Sequence, residues 1–580
     1  MCSITGVISK DDDPSSSRNT ERLLLTMTKI LKHRGQDMSG MMLDDDVIYF
    51  KNFNELEDES IHNSKFSSSR VHLGHNRLAI VGEAVQPLPN CDESIWIVCN
   101  GEVYNYIELN DDLCEKHCFK TDTDTEVILH AYEDHTEDRL DGDFAYAIYD
   151  KEKNIVVLRR DLMGVKPLYY IDLENHFVFA SEKKALYYAL MKLENYTYEE
   201  AFNSELIKRL DPNSELIYHL DNNEIAIHVN LEEIVTEYYN YNYNTVNYDY
   251  NYCRNELNNV LNQAVSKRVR GLEKVGIIYS GGVDSTLVAK LASENCKEVI
   301  LYTVGTEGSE DVYYAEKAAK DLNLKLRKKT LTEDDFEKYL LKVANAIDEL
   351  NVMKLGVGIP IYAASEMANE DGIKVVLSGQ GADELFAGYN RYKRTLAEKG
   401  KEGLEKELYH DSMNIYKVNL ERDDHCTMAN GVELRVPFLD KNVVNVALSM
   451  PVEYKITKDE DAENSKNEHW KRILRDVSRD YVPDYIADRP KKAAQYGSGS
   501  EKTIYHVART HGYSKRNIEN FLKEYVFGKM EENITQYLNS DNQDQEFESS
   551  EFLDSKNMDK INNLKKSNNS KVVKDGIKYA

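Results

Sequence analysis

From residue 3 to about residue 181, apolar and polar positions alternate in short runs. SITGVIS, DVIYFK, HLGHNRLAIV, SIWIVCNG, FAYAIYD, NIVVLRRD, PLYYI and HFVFAS each read as strands, and turn residues separate most of them. Two helical stretches interrupt, near 20–32 and 126–133. The pattern predicts a sheet-dominated first domain. From about residue 253 the period changes. ELNNVLNQAVSKRV has helical spacing, VGIIYS reads as a buried strand, and STLVAKLASEN as a helix; EVILYTVG, DVYYAEKAAKDLN and IKVVLSG continue strand, helix, strand. Such alternation predicts a parallel sheet covered by helices.

Two segments follow neither period. EYYNYNYNTVNYDYNY is a low-complexity tyrosine/asparagine run, which predicts a linker or surface insertion over 191–252. Beyond residue 512, SDNQDQEFESSEF and NNLKKSNNSK predict a polar, partly disordered tail. The expected division is therefore 2–190, 191–252, 253–512 and 513–580.

With 580 residues the chain can bury more than one core, and 41% apolar with 30% charged residues is a soluble globular composition. A formal charge of −28 argues against nonspecific binding to nucleic acid or to anionic membranes. No run reaches 18 uninterrupted apolar residues, so no transmembrane span is expected. DDDPSSS follows Lys10 almost at once, unlike a secretory signal, and a cytoplasmic protein is the expectation. Eight cysteines are too sparse for a disulfide scaffold. Cys114-Glu-Lys-His117-Cys118 has metal-like spacing, but no second Cys/His pair lies close in sequence. It reads as helix surface, and no structural zinc is expected.

The most specific chemistry lies at Ile277-Ile-Tyr-Ser-Gly-Gly-Val-Asp-Ser285, a strand, a glycine turn and a helix start. Adjacent glycines let backbone amides approach phosphate oxygens, and the helix N-terminus adds partial positive charge. No lysine follows the glycines, so this is not a Walker A loop. Ser280, Asp284 and Ser285 around the turn suit a pyrophosphate with a divalent cation on the aspartate. At average residue usage, SGG-x-DS would recur by chance in about one chain of this length per thousand, which sets aside a mere connecting turn.

This stretch resembles the pyrophosphate loop of the N-type ATP pyrophosphatases, which cleave ATP between the α and β phosphates. Leu377-Ser-Gly-Gln-Gly-Ala-Asp-Glu384 with LFAGY after it, and GVELRVPFLD at 431–440, are similar to the synthetase half of glutamine-dependent asparagine synthetases. HRGQD, HNRLAIV, CNGEVYN, TDTE, DGDFAYAIYD and RRDLMGVKPLYY resemble the amidotransferase half of the same family. The resemblance covers about 2–499 and implies an α/β multidomain protein. Its N-terminal part would be a four-layer αββα sandwich of the N-terminal-nucleophile hydrolases. Its C-terminal part would be a doubly wound parallel-sheet ATP pyrophosphatase domain.

The resemblance makes Cys2 the nucleophile on the glutamine γ-amide once Met1 is trimmed. The exposed α-amine, with a pKa of about 7.7–8.0 against about 8.5 for a thiol, is then a plausible base. Asn100 and Gly101 would stabilise the oxyanion. Arg77 would take the α-carboxylate of glutamine, Glu102 and Asp124 its α-amine, and Leu78, Ala79, Ile80 and Val81 would line the pocket. One departure is Gln36, where the family usually has proline.

In the synthetase half the resemblance implies that ATP activates aspartate as β-aspartyl-AMP, which ammonia from the first domain then attacks. Asp284 and Asp383 would hold Mg2+ and pyrophosphate. Ser280, Gly281, Gly282 and Ser285 would meet phosphate, and Ile278, Val304, Ser378 and Gly379 would frame adenosine. Lys491 would stabilise the adenylation transition state; Arg422 and Lys471 would face anionic groups. The second departure is Gln380, where glutamate is common; glutamine cannot act as a carboxylate base, and Glu384 is the nearby substitute. L-Glutamine, L-aspartate and ATP are the implied partners, and a homodimer stays open. Two alternatives also remain, ATP-driven amidation of another carboxylate and a non-catalytic sensor or scaffold.

Overall fold

The computed structural model describes residues 2–11, 14–43, 46–53, 70–229, 249–456, 470–490, 499–536 and 538. Strands of the first half are β1 (Ser3–Ser9), β2 (Met38–Leu43), β3 (Asp46–Phe50), β4 (Val71–Arg77), β5 (Leu88–Pro89), β6 (Ile95–Val103) and β7 (Gly142–Asp150). They continue with β8 (Ile155–Arg160), β9 (Tyr169–Asp172), β10 (His176–Ala180), β11 (Lys208–Arg209), β12 (Ser214–His219) and β13 (Glu224–Val229). They form two sheets, β11-β9-β10-β1-β4-β2-β3 and β13-β12-β8-β7-β6-β5.

Every residue of β1 is buried, because both faces of its sheet are covered. Strand alternation sends Ile4 and Ile8 into the core between the sheets, with Val98, Ala147, Leu158 and Phe179. It sends Val7 the other way, into the core that holds Leu24 and Met27 of the helix Pro14–Ile30. On the second sheet, Ile97, Tyr146 and Ile148 face Leu109 and Leu113 of the helix Tyr106–Leu113 and Val127 and Ile128 of the helix Glu126–Glu133. The layers are therefore helix, sheet, sheet, helix, the expected αββα sandwich.

The second half carries β14 (Lys274–Ile278), β15 (Glu298–Gly305), β16 (Lys325–Thr330), β17 (Val375–Leu377) and β18 (Glu433–Arg435), all parallel, in the order β16-β15-β14-β17-β18. The order reverses between β14 and β17. In such sheets the crevice beyond the carboxyl ends at the reversal is where ligands sit. One apolar core runs without interruption from Leu24 and Leu186 to Leu261, Ile277 and Val376, joining the two halves.

Three segments differ from the sequence expectation. Within 191–252, β11 extends the first sheet and β12–β13 the second, so part of the expected linker completes the sandwich. The Ser214–His219 stretch alternates as a strand should, but the neighbouring tyrosine/asparagine run outweighs it in the sequence; residues 230–248, which include most of that run, lie outside the described residues. Beyond 512, Phe521, Leu522, Val526 and Phe527 are buried, and Phe527 stacks on Tyr198 at 5.5 Å. Apolar spacing wins over polar composition there, and 539–580 lie outside the described residues. Cys114–Cys118 is not helix surface but the turn after the helix Tyr106–Leu113. Among the described residues no helix is long and apolar enough to cross a membrane.

Candidate functional site

Cys2 begins β1 and is 8% exposed. Its backbone N–H donates to Asn100 Oδ1 at 3.2 Å, and its carbonyl accepts from Arg34 Nε at 3.1 Å. Burial pushes the thiol pKa up, against an opposing hydrogen bond from the Leu78 backbone. Asn100 sits on the adjacent sheet, in β6, with its Nδ2 buried and without a hydrogen-bond partner. Next to it Gly101 takes φ +155°, and a Cβ there would lie 2.3 Å from the Asp143 carbonyl oxygen. Only glycine fits that conformation beside β7.

A recess of about 400 Å³ opens at this point. Cys2, Arg77, Leu78, Ile80 and Val81 line it from one side, and Gly101, Glu102 and Asp124 from the other. Ala79 does not line it: its N–H donates to Asp37 Oδ2 at 2.6 Å and its carbonyl accepts from Lys374 Nζ at 3.0 Å. Sequence reasoning missed Glu433, which reaches the recess from β18 of the other half. Arg435 on the same strand bonds Glu433 at 2.6 Å and also Glu102. Burial pushes Glu102 and Asp124 up; Glu433 adds to both shifts, while Arg435 opposes them. Burial would raise Glu433 too, but the Arg435 guanidinium holds it well below the usual carboxylate range. The result is a small chamber walled by three carboxylates, Arg77 and a thiol, with Arg435 bonded to two of the carboxylates from behind, an arrangement matched to a zwitterion.

The second site lies at the reversal between β14 and β17. The loop after β14 turns at Gly281 (φ +66°), where a Cβ would meet the Ala315 backbone N at 2.5 Å. The helix Val283–Asn295 follows. A recess of about 900 Å³ is lined by Ile278, Ser280, Asp284, Ser285 and Val304 together with Ser378 and Gly379. Gly281 supplies the turn rather than the lining. Gly282 faces an adjoining recess of about 470 Å³, whose cations are Lys471, Arg475 and Arg489. Arg489 also escaped sequence reasoning; it donates to the Ser280 carbonyl at 2.9 Å and to Asp311 at 2.6 Å.

Lys471 Nζ bridges Asp284 (2.6 Å) and Asp383 (2.7 Å). Asp284 Oδ1 is buried with no hydrogen-bond partner. Two carboxylates sharing one cation, with an oxygen to spare, form a hard-oxygen donor set that fits Mg2+. A third recess, about 1140 Å³, shares Gln380 and Asp383 with the second and adds Glu384 and Arg422. Gln380 Nε2 donates to Asp423 Oδ2 at 2.5 Å, and Arg422 pairs with the same aspartate at 2.7 Å. Glu384 accepts from Tyr389 at 2.7 Å and Asn419 at 2.9 Å. Lys491 lies outside the described residues.

The two sites share β18. Glu433 reaches the first recess, while the Arg435 carbonyl accepts from the Ser378 N–H (3.1 Å) at the second.

Comparison with known proteins agrees with this division. A glutamine amidotransferase domain matches residues 59–239, and an asparagine synthase domain matches 256–402 and 395–554. A Methanocaldococcus jannaschii protein assigned as a glutamine-hydrolysing asparagine synthetase is 55% identical over 550 residues, covering 90% of this chain and 98% of that one. A Bacillus subtilis glutamine-hydrolysing asparagine synthetase is 27% identical over 590 residues, covering 85% and 86%. A solved B. subtilis glutamine phosphoribosylpyrophosphate amidotransferase, 17% identical, covers 53% of this chain and 67% of its own, with a TM-score of 0.32 that carries no weight for the fold. With both domains matched in order and more than half the residues shared with a full-length relative, the chain belongs to the glutamine-hydrolysing asparagine synthetase family of carbon–nitrogen ligases.

Proposed function

We propose that the chain makes L-asparagine from L-aspartate, L-glutamine, ATP and water, releasing L-glutamate, AMP and diphosphate. The observation that carries this reading is the pairing of a thiol chamber for a zwitterion with a phosphate loop at the sheet reversal, both resting on β18.

In the first chamber Arg77 takes the α-carboxylate of glutamine, and Glu102, Asp124 and Glu433 surround its α-ammonium. The Cys2 thiol attacks the γ-amide carbon, passing its proton to the α-amine that Met1 removal exposes. Asn100 Nδ2, a buried donor without a protein partner, stabilises the oxyanion. Ammonia leaves, and water releases glutamate from the thioester. In the second site the apolar wall of Ile278 and Val304 holds adenosine, and the Ser280–Ser285 turn holds the phosphates. Asp284 and Asp383 would hold Mg2+, which supplies charge neutralisation at the pyrophosphate. Lys471, already between those carboxylates, stays beside the leaving group.

The acceptor occupies the third recess. Because a carboxylate only accepts, the Gln380–Asp423 contact fixes the Gln380 amide with Nε2 toward Asp423, leaving Oε1 for the substrate. Asp423, more than Glu384, is then the carboxylate that stands in for the glutamate the family usually places at 380; burial pushes it up, against the pull of Arg422. Mass analysis of products from glutamine, ATP and a panel of carboxylates tests the reading. Asparagine with equimolar AMP and diphosphate is expected; AMP release with another carboxylate but not with aspartate would overturn it.

A further inference from the structure

On the outer helical layer of the first half, folding joins three side chains that lie far from a metal motif in sequence. His130 and Glu133 are three residues apart on the helix Glu126–Glu133, and His117 comes from the turn after the helix Tyr106–Leu113. The two imidazoles stack with centroids 4.7 Å apart. Glu133 Oε2 lies 2.6 Å from His130 Nδ1 and 3.2 Å from His117 Nδ1, so both inner nitrogens converge on one oxygen. Each outer nitrogen faces a further carboxylate. His117 Nε2 is 3.1 Å from Asp134, and His130 Nε2 is 3.9 Å from Glu126.

Hydrogen bonding alone leaves this arrangement incomplete. His130 is wholly buried, and its Nε2 has no partner within hydrogen-bond reach. Glu126 is itself fixed by the Lys120 and Thr121 amides, both at 2.7 Å, so it is placed to orient the ring without closing onto it. A carboxylate behind each histidine is the outer shell that metal-bound imidazoles usually have.

We propose that His117, His130 and Glu133 bind one divalent ion of the zinc class, with water at the fourth position. The three ligand atoms lie within 4.8 Å of one another. Zinc at about 2.0–2.1 Å from nitrogen and oxygen needs tetrahedral edges of about 3.3 Å. The His117–Glu133 edge already has that length, and the His130–Glu133 edge must open by roughly 0.7 Å. Two imidazoles and one carboxylate suit zinc, whereas Mg2+ prefers oxygen ligands, so the site is chemically distinct from Asp284 and Asp383. The ion would clip the 114–118 turn to the helix that begins just after Asp124 and Thr125 of the glutamine recess. This reverses the sequence expectation of no zinc, which counted only neighbours along the chain.

The test uses the full chain, stripped with a chelator and titrated with Co2+ and then Zn2+. One Co2+ per chain with the visible bands of a tetrahedral nitrogen/oxygen site, displaced by Zn2+, is expected. His117→Gln, at a position 17% exposed, should lose those bands and weaken Zn2+ binding at least 100-fold while the metal-free protein keeps its circular dichroism. Glu133→Gln should weaken binding at least tenfold. Cys91, Cys114 and Cys118 are exposed thiols, so their triple serine variant must keep the bands. Absence of stoichiometric Co2+, unchanged binding in His117→Gln, or loss of the bands in the serine variant would each overturn the proposal.

Discussion

The two sites solve opposite electrostatic problems. The proposed glutamine chamber is small and keeps its charges fixed: Glu433 and Arg435 arrive on one short strand, and Arg435 also holds Glu102. The synthetase recesses are larger and keep their charges exchangeable. Lys471 occupies the space between Asp284 and Asp383, and Arg422 occupies Asp423. A neutral zwitterion needs a rigid mould, and the cost of burying its complement is met once, on folding. A nucleotide polyanion brings its own charge and cation, so protein ion pairs must be able to trade partners. The glutaminase should therefore fail by loss of a single group, and the synthetase by imbalance of charge.

The strongest way to break this contrast is at the two reactive centres. Cys2→Ala removes the proposed nucleophile, and glutamine-dependent synthesis should fall by roughly three orders of magnitude or more while ammonia-dependent synthesis persists. Asparagine assays with each nitrogen donor distinguish the two; equal loss with both would mean the centres are not separate. Asp284→Asn should do the converse. Diphosphate release should fall by roughly 10²–10³-fold, with glutaminase turnover retained, because Lys471 keeps one carboxylate partner and the proposed Mg2+ would lose one.

A smaller effect is expected at the seam. Glu421 of the second half is 4% exposed and accepts from Arg209 at 2.6 Å and Arg160 at 3.3 Å, both from the first half. Burial would raise its pKa, but Arg209 and Arg160 hold it at about 2. A depressed folded-state value means stabilisation that is complete above the unfolded value of about 4.5 and lost as pH falls toward 2. Glu421→Gln should cost about 3 kcal/mol near neutrality, and the deficit should shrink across that acidic window. Denaturant melts at stepped pH check this, and a deficit independent of pH would assign the loss to packing.

Much of both candidate sites, as the fold places them, is legible in the sequence because it is local. A cysteine behind Met1, an asparagine–glycine pair in a strand and SGG-x-DS between strand and helix are short-range chemistry, and folding gathers them as the pattern implies. What escaped depends on pairing at long range. Glu433 and Arg435 sit on a strand of only three residues, too short for any periodic signal. Arg489 and Asp423 look like ordinary surface charges until Ser280 and Gln380 are placed against them. His117 and His130 acquire meaning only when the turn at 114–118 folds back on the helix Glu126–Glu133. The 191–229 stretch was misjudged for a different reason, since a compositional bias outweighed a strand pattern beside it.

The mildest test of a rigid glutamine mould is the tether behind it. Lys374 Nζ, from the second half, donates to Asp37 at 2.9 Å and to the Ala79 carbonyl at 3.0 Å, pinning the loop that carries Leu78, Ile80 and Val81. Lys374 and Asp37 are 46% and 36% exposed, so solvent screens the pair and it is worth at most about 1 kcal/mol. Lys374→Ala should then raise the KM for glutamine about fivefold at most and leave ammonia-dependent turnover unchanged. Salt sharpens the reading. At 1 M ionic strength the screening length is about 3 Å, so the wild-type KM should climb toward that of the variant. If the loop were held by its own packing, neither salt nor the substitution would move KM, and the mould would belong to the first half alone.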